Sequence, residues 1–234
     1  MGNWLNLNKN QTLHHPKALL FDLNGTMIND MPYHVSAWHR IATELGANIT
    51  LEKMKQECYG KNHDVIERIF PGRFTHDQKT TMSLQKEAQY QRDFRPYLKL
   101  IDGLDQFLQE THGVGVKLAI GSAAITFNID FVLEGLHIRK YFDAIVSADD
   151  VDHSKPDPET WLKCAEKLKL APFDCIVFED SPKGAESALS AGMKCVIITN
   201  THAQAEFANY ENVIQFIDDY NSIKINYLDR GRGA

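Results

Sequence analysis

Polar side chains that can react or bind metal stand directly or shortly after short apolar segments of this chain. The set comprises Asp22, Ser122, Lys155, Glu179 and Asp180. Carboxylate oxygens are hard ligands that suit Mg²⁺, and a lysine neutralises phosphate charge as a point cation. A carboxylate can also attack phosphorus and form an aspartyl-phosphate. If the fold brings these residues together, the set is suited to a metal ion and a phosphate group.

The short apolar segments themselves indicate β-strands. Six strands are predicted, at residues 18–21, 116–120, 144–146, 175–178, 195–198 and 213–216. Continuous apolar strands that alternate with helices are typical of a parallel sheet covered on both faces. In such open α/β sheets, ligands bind beyond the carboxyl ends of the strands. We therefore expect the five polar residues to converge at one edge of the sheet.

Helical spacing of apolar residues fills the intervals between the strands. Helices are predicted at 104–110, 126–134, 158–168 and 182–191, and a further four between the first two strands, at 33–45, 51–59, 64–70 and 75–92. A connection that long usually forms a substructure of its own. The predicted fold class is α/β, with a Rossmann-like, doubly wound parallel sheet and an inserted α-helical domain. The expected division is a core at 1–28 and 101–234 and a helical insert at 29–100.

The composition is that of an ordinary globular protein and narrows the classes of partner. Of 234 residues, 43% are hydrophobic and 24% are charged, and the formal net charge is −6. A mildly acidic chain is a poor candidate for general nucleic-acid binding, which requires a basic face, or for an anionic membrane surface. We expect neither partner, and an anionic substrate would then need a local cation or a metal to bind it.

The cysteines and the N-terminal segment bear on the cellular compartment. Cys58, Cys164, Cys175 and Cys195 form no CxxC pair, which favours free thiols in a reduced cytoplasm. No apolar segment reaches the ~20 residues that span a bilayer. Residues 1–17 are polar and lack the apolar stretch of a secretory signal, so a loose tail and a cytoplasmic location are expected.

Four short motifs, each after a predicted strand, together resemble those of a known family. They are FDLNGT at 21–26, GS at 121–122, KPDPE at 155–159 and VFEDSPKG at 177–184. Each is weak alone, but all four in this order resemble the haloacid dehalogenase-like phosphohydrolases, from Lys17 to about Thr199. The helical insert is similar to the small cap of the subgroup that contains β-phosphoglucomutase and phosphoglycolate phosphatase.

The resemblance implies a role for each matching position. Asp22 would be the nucleophile, and Ser122 and Lys155 would hold the transferring phosphoryl group. The cofactor would be Mg²⁺, held by Asp22, the backbone carbonyl of Asn24, Glu179 and Asp180. Thr26, in the first motif, is a further candidate for substrate binding. Metal and lysine together would neutralise the phosphate charge that otherwise repels an anionic nucleophile.

Asn24 departs from the family pattern, which usually has an aspartate two residues after the nucleophile as general acid and base. The amide keeps the backbone carbonyl but cannot exchange a proton with the leaving oxygen or with water, and such help is typically worth ~10²–10⁴-fold. Several consequences stay open: a slower enzyme, a long-lived aspartyl-phosphate, a substrate with a good leaving group, or another residue that transfers the proton. A deliberate substitution that traps a complex is a further alternative.

Substrate selection is expected to come from the helical insert. Lys61 and His63 lie in a loop between two predicted helices, and an equivalent loop in the related sugar-phosphate mutases holds a second phosphate. His34 comes four residues after Asp30 and is similar in placement to a histidine that gates the mutases. These three side chains are therefore candidate substrate contacts.

Three functional hypotheses follow. The first is a Mg²⁺-dependent phosphatase that acts on a small phosphorylated metabolite, such as a sugar phosphate, through an aspartyl-phosphate. The second is a phosphosugar mutase like β-phosphoglucomutase, for which Asn24 is a disadvantage because a mutase needs proton shuttling at two oxygens. The third is a non-catalytic relative, which only Asn24 supports. The expected partner is a small-molecule phosphate ester, and the expected state is a monomer or a weak dimer.

Overall fold

A six-stranded parallel sheet organises the part of the chain that the computed structural model describes, residues 16–221 and residue 223. Its strands are β1 (Ala18–Phe21), β2 (Lys117–Gly121), β3 (Ala144–Val146), β4 (Cys175–Glu179), β5 (Lys194–Ile198) and β6 (Val213–Ile217). They lie in the order β3-β2-β1-β4-β5-β6, and every neighbouring pair is parallel. The predicted Rossmann-like, doubly wound sheet is therefore confirmed. Most of the predicted N-terminal tail, residues 1–15, lies outside the described residues.

Eight α-helices are found in the described part of the chain. The connection between β1 and β2 contains α1 (Met31–Glu44), α2 (Leu51–Glu57), α3 (Asn62–Ile69), α4 (His76–Phe94) and α5 (Leu104–Gly113). The later connections contain α6 (Thr126–Gly135), α7 (Glu159–Leu168) and α8 (Pro182–Ser190). Short 3₁₀ helices occupy Arg95–Tyr97, Arg139–Tyr141, Ala148–Asp150, Pro172–Asp174 and Gln204–Phe207.

The helix ends follow local side-chain chemistry. The hydroxyl of Thr75 accepts a hydrogen bond from the backbone N–H of Gln78, whose side chain bonds back to Thr75, so a capping box starts α4. Ser181 caps α8 in a similar way by accepting from the backbone N–H of Gly184. The helix predicted at 51–59 ends at Glu57, because Cys58 already leaves the helical conformation (φ −82°, ψ 66°).

Alternate residues of the buried strands belong to two separate cores, one on each face of the sheet. Leu19 and Phe21 pack in one cluster, to which α5 and α6 contribute, and Leu20 packs in the other, to which α7 and α8 contribute. A third cluster around Trp38 and Met54 lies among the helices of the insert. Helices α1–α4 occupy the stretch assigned to the insert, whose boundaries at 29–100 stay a prediction.

Two further expectations concern the surroundings of the protein. Among the described residues, no helix has both the length and the apolar character needed to cross a membrane. Three of the four cysteines are buried and all four are free thiols. The cytoplasmic location and the monomer or weak dimer stay predictions.

Candidate active site

Three adjacent strands end in the predicted site residues. Asp22 follows β1, and its backbone N–H extends the strand pairing by donating to the carbonyl of Phe178 at 2.9 Å. Ser122 follows β2 on one side, and Glu179 ends β4 on the other side. Because parallel strands place their carboxyl ends at one edge, β1 brings Asp22 between the other two groups.

Lys155 joins these groups, although it follows the more distant strand β3. Its ammonium nitrogen donates to Asp22 Oδ1 at 2.7 Å, to Glu179 Oε1 at 2.8 Å and to the carbonyl of Gly121 at 3.0 Å. It also lies 4.1 Å from the ring centroid of Trp161 in α7, a cation–π contact that adds to the stabilisation of its charge. The lysine is 8% exposed, so these contacts replace most of its hydration.

The charges of the site are unequal, with three buried carboxylates and one ammonium. Burial, opposed by Lys155, raises the pKa of Asp22 to about 7. Burial and the charges of Glu179 and Asp22 raise the pKa of Asp180 well above its ordinary value. Burial also acts to raise the pKa of Glu179, but Lys155 and hydrogen bonds outweigh it and lower that pKa. Burial acts to lower the pKa of Lys155, and the two carboxylates in contact raise it overall.

The acidic residues fit a divalent cation. Oxygen atoms of Asp22, Glu179 and Asp180 lie within 4.8 Å of one another, and one lysine cannot neutralise three carboxylates. Oxygen donors at this spacing match the ligand preference of Mg²⁺. Mg²⁺ itself and the contribution of the Asn24 carbonyl stay predictions.

Hydrogen bonds orient both carboxylates at the carboxyl end of β4. Glu179 Oε2 accepts from the backbone N–H groups of Asp180 at 2.8 Å and Ser181 at 2.9 Å, and from the Ser181 hydroxyl at 3.0 Å. Asp180 accepts from the hydroxyls of Thr26 and Thr201. Thr26 is thus buried behind a predicted metal ligand, and the pocket lining does not include it; substrate binding by Thr26 stays a prediction. Thr201 was missed, because it follows β5 outside any recognised motif.

A pocket of about 150 Å³ opens above these groups. Its floor includes Asp22, Asn24, Ser122, Lys155, Glu179 and Asp180, and its walls include His34, Trp38, Asn62, Lys86 and Glu87 from the helical insert. The structure therefore brings the predicted nucleophile, phosphate contacts and metal ligands together with one predicted cap residue. Lys86 and Glu87 of α4 were missed because adjacent charged residues in a helix are typical of a solvated face, and Asn62 of α3 was missed because it lies outside the four motifs.

The structure places the two loop candidates outside this pocket lining. The ammonium of Lys61 donates to the carbonyls of Val151 and Asp152, on the sheet-containing side. His63 lies in the first turn of α3 and not in a loop as predicted, and its ring contacts Thr80 and His76 of α4. Substrate contact by either residue stays a prediction, and their observed contacts are with protein groups.

Asn24 and His34 are the remaining predicted residues, and both line the pocket. Asn24 Nδ2 donates to Asp30 Oδ2 at 2.6 Å and lies 3.1 Å from His34 Nε2. The His34 ring stacks on Tyr90 with centroids 3.8 Å apart, and its Nδ1 lies 2.6 Å from Lys86 Nζ. Asn24, itself half-buried, is therefore part of a polar network whose other members are buried.

Known proteins match this chain over most of its length. The family profile described as haloacid dehalogenase-like hydrolase matches residues 19–198. A fructose-1-phosphate phosphatase of Escherichia coli strain K12 is 29% identical over 182 residues, covering 76% of this chain and 94% of the relative. Among solved structures, a family IA HAD hydrolase of Entamoeba histolytica has a TM-score of 0.80 at 28% identity, covering 89% of this chain and 95% of the other.

A second solved structure, a β-phosphoglucomutase of Clostridium difficile, has a TM-score of 0.78 at 25% identity, covering 91% of this chain and 95% of the other. The profile match spans well over half of the 234 residues, and it includes all four motifs that carried the resemblance. This chain belongs to the haloacid dehalogenase-like hydrolase family.

Proposed function

We propose that this HAD-like phosphohydrolase is a Mg²⁺-dependent phosphatase that acts on a phosphorylated carbohydrate. The observation that carries the proposal is the position of Asp22 in the pocket floor, with Lys155 2.7 Å away and two further carboxylates close by. This arrangement combines a nucleophile, a cation for the phosphate and a place for a metal.

In the proposed reaction, Asp22 supplies the attacking oxygen. One of its carboxylate oxygens bonds to phosphorus while the bond from phosphorus to the ester oxygen breaks, which leaves an aspartyl-phosphate. Lys155 and Ser122 hold the phosphoryl oxygens, and water then cleaves the aspartyl-phosphate to release inorganic phosphate. Bound Mg²⁺, held by Asp22, the Asn24 carbonyl, Glu179 and Asp180, would stabilise the charge that develops on the phosphoryl group.

The substrate class rests on the relatives and on the pocket walls. The Escherichia coli relative is a fructose-1-phosphate phosphatase. Asn62, Lys86 and Glu87 place amide, ammonium and carboxylate groups in the wall of a small pocket, and such groups suit the hydroxyls of a sugar. A phosphorylated sugar is therefore the proposed substrate.

A phosphate-release screen with sugar monophosphates and Mg²⁺ tests this function. We expect release by the unaltered protein and a loss of at least about 10³-fold in Asp22→Asn, because an amide cannot act as the nucleophile. Asp102→Asn is the matched control, since its carboxylate is 73% exposed. Equal release by the unaltered protein and by Asp22→Asn would refute the proposed nucleophile.

The structural similarity to β-phosphoglucomutase keeps a mutase as the second candidate. A mutase must return the phosphoryl group to a different hydroxyl of the sugar. Conversion of β-glucose 1-phosphate to glucose 6-phosphate faster than phosphate release would establish the mutase. We expect phosphate release to dominate, because Asn24 offers no proton exchange at either oxygen.

A further inference from the structure

Asp30 is a buried carboxylate, and one of its oxygens accepts hydrogen bonds from several donors. It is 0% exposed and stands just before α1. Its Oδ2 accepts from Asn24 Nδ2 at 2.6 Å and from the Tyr90 hydroxyl, and His34 Nε2 lies 3.2 Å away. A buried carboxylate is stabilised by donors of this kind.

Lys86 determines which nitrogen of His34 carries the proton. An ammonium group can only donate, so His34 Nδ1, 2.6 Å from Lys86 Nζ, is the acceptor. The ring proton is then on Nε2, where it points to Asp30. Asn24, His34 and Tyr90 therefore all direct hydrogens to the same carboxylate. This explains why the nitrogens of Asn24 and His34 lie side by side at 3.1 Å.

An aspartate in place of Asn24 does not fit this network. Its carboxylate oxygen would take the place of Nδ2, 2.6 Å from Asp30 Oδ2, and a half-buried carboxylate so close to the buried Asp30 carboxylate is strongly repelled while both are ionised. An amide oxygen turned to the same place would likewise meet Asp30 acceptor to acceptor. Asp30 thus selects an amide nitrogen at position 24.

We propose that Asn24 and Asp30 are a matched pair and that Asp30 is a positioning residue for the Asn24 amide. As a result, the phosphoryl transfer proposed above for Asp22 proceeds with no proton donated from position 24. The enzyme then favours esters whose leaving oxygen is stable as an anion, such as sugars phosphorylated at the anomeric carbon, over esters of primary alcohols. This inference rests on the proposed function.

The reaction balances without an acid at position 24. An oxygen of Asp22 bonds to phosphorus, the bond between phosphorus and the ester oxygen breaks, and its electron pair departs with that oxygen. The departing anion takes its proton from water afterwards. The cost of this route rises with the basicity of the leaving oxygen, whereas a general acid would reduce that dependence.

The test uses aryl phosphates with phenols of graded acidity, assayed with Mg²⁺ on the unaltered protein, Asn24→Asp, Asp30→Asn and the double variant. For the unaltered protein we expect kcat/KM to fall steeply as the pKa of the phenol rises. The double variant, which has one carboxylate at position 24 and an amide at position 30, should show a shallow fall and a gain of ~10²-fold on the poorest leaving groups.

Thermal unfolding provides a second readout. We expect Asn24→Asp alone to raise the unfolding equilibrium constant at least about tenfold. The double variant should recover most of the lost stability, because the effects of substitutions at residues in contact are coupled. A shallow dependence in the unaltered protein would overturn the inference, because another residue would then donate the proton. Additive effects of the two substitutions on unfolding would overturn the pairing. Equal phosphate release by Asp22→Asn and by the unaltered protein would refute the proposed function alone. The unfolding experiment would still decide whether Asn24 and Asp30 are paired.

Discussion

Asp180 is held by two threonine hydroxyls while it faces two other buried carboxylates. The hydroxyls of Thr26 and Thr201 donate to it. One carboxylate oxygen each from Asp22, Glu179 and Asp180 lies within 4.8 Å of the other two. The hydrogen bonds orient Asp180 but do not cancel the like charge. The ionised carboxylate of Asp180 therefore destabilises the metal-free fold, and a bound divalent cation would remove this repulsion.

We predict opposite effects of Asp180→Asn with and without metal. In EDTA the variant should unfold at a higher temperature than the unaltered protein, because one of three crowded negative charges is gone. Mg²⁺ at 100 times its Kd should stabilise the unaltered protein by about 2.7 kcal/mol, or roughly 5–10 °C, and the variant much less. Calorimetry with and without Mg²⁺ measures both effects.

The exposed variant Asp102→Asn is the control for the change in net charge. It should keep the full response to Mg²⁺, because the exposed Asp102 carboxylate is not one of the three acidic groups that could hold the metal ion. An equal Mg²⁺ response in Asp180→Asn and the unaltered protein would show that Asp180 is not a ligand.

At the scale of elements, the turn between β4 and α8 packs a carboxylate against the first turn of the helix. Glu179 ends β4, and Gly184 lies in the first turn of α8. A Cβ atom at Gly184 would lie 1.9 Å from the carboxylate carbon of Glu179. Glycine is therefore required at this position by the close approach of a side chain, and no positive φ is involved.

We predict that Gly184→Ala reduces phosphate release at least about tenfold and destabilises the fold by about 1–3 kcal/mol. The methyl group would displace the Glu179 carboxylate, which also binds Lys155 at 2.8 Å. Phosphate release and denaturant unfolding measure the two effects.

Gly113→Ala is the matched control, because this glycine lies at the end of α5 and a Cβ there meets no atom within 4 Å. It should leave activity unchanged and alter stability by less than about 1 kcal/mol. Similar losses in both alanine variants would contradict the steric account.

At the scale of the whole molecule, polar contacts join the helical insert to the sheet-containing part beside the pocket. The backbone N–H of Lys61 donates to Ser154 Oγ at 3.1 Å, and its ammonium donates to the carbonyls of Val151 and Asp152. Lys183 lies 4.5 Å from the ring centroid of Tyr59. These contacts hold the insert against the segment that precedes Lys155, at one side of the pocket.

We predict that Lys61→Met lowers kcat/KM about tenfold for every phosphate ester. The variant loses the charge-assisted hydrogen bonds that hold the insert in place beside the pocket. Inhibition by glucose 6-phosphate and by glucose 1,6-bisphosphate should weaken by the same factor. Inhibition constants for both compounds measure this.

Lys53→Met is the control, since Lys53 is 57% exposed and pairs only with Glu57 on its own helix among the described residues. It should leave both inhibition constants unchanged. A selective loss of bisphosphate inhibition in Lys61→Met would instead assign Lys61 to a second phosphate.

The sequence alone determined the sheet, the helices and the groups at the strand ends. Apolar segments such as 18–21 predicted buried parallel strands, and Asp22, Ser122 and Asp180 followed from their place just after such strands. This works because local periodicity records burial, and because all parallel strands end at one edge of the sheet.

Only the tertiary structure decided which residues meet across the chain. Asp30 contacts Tyr90, sixty positions away in sequence, and Lys61 contacts Ser154 across ninety-three. Such contacts depend on how helices pack, and residue type alone does not reveal them. In the sequence, Asn24 stands where the family usually has an acid. In the structure, it is the hydrogen-bond partner of a buried carboxylate.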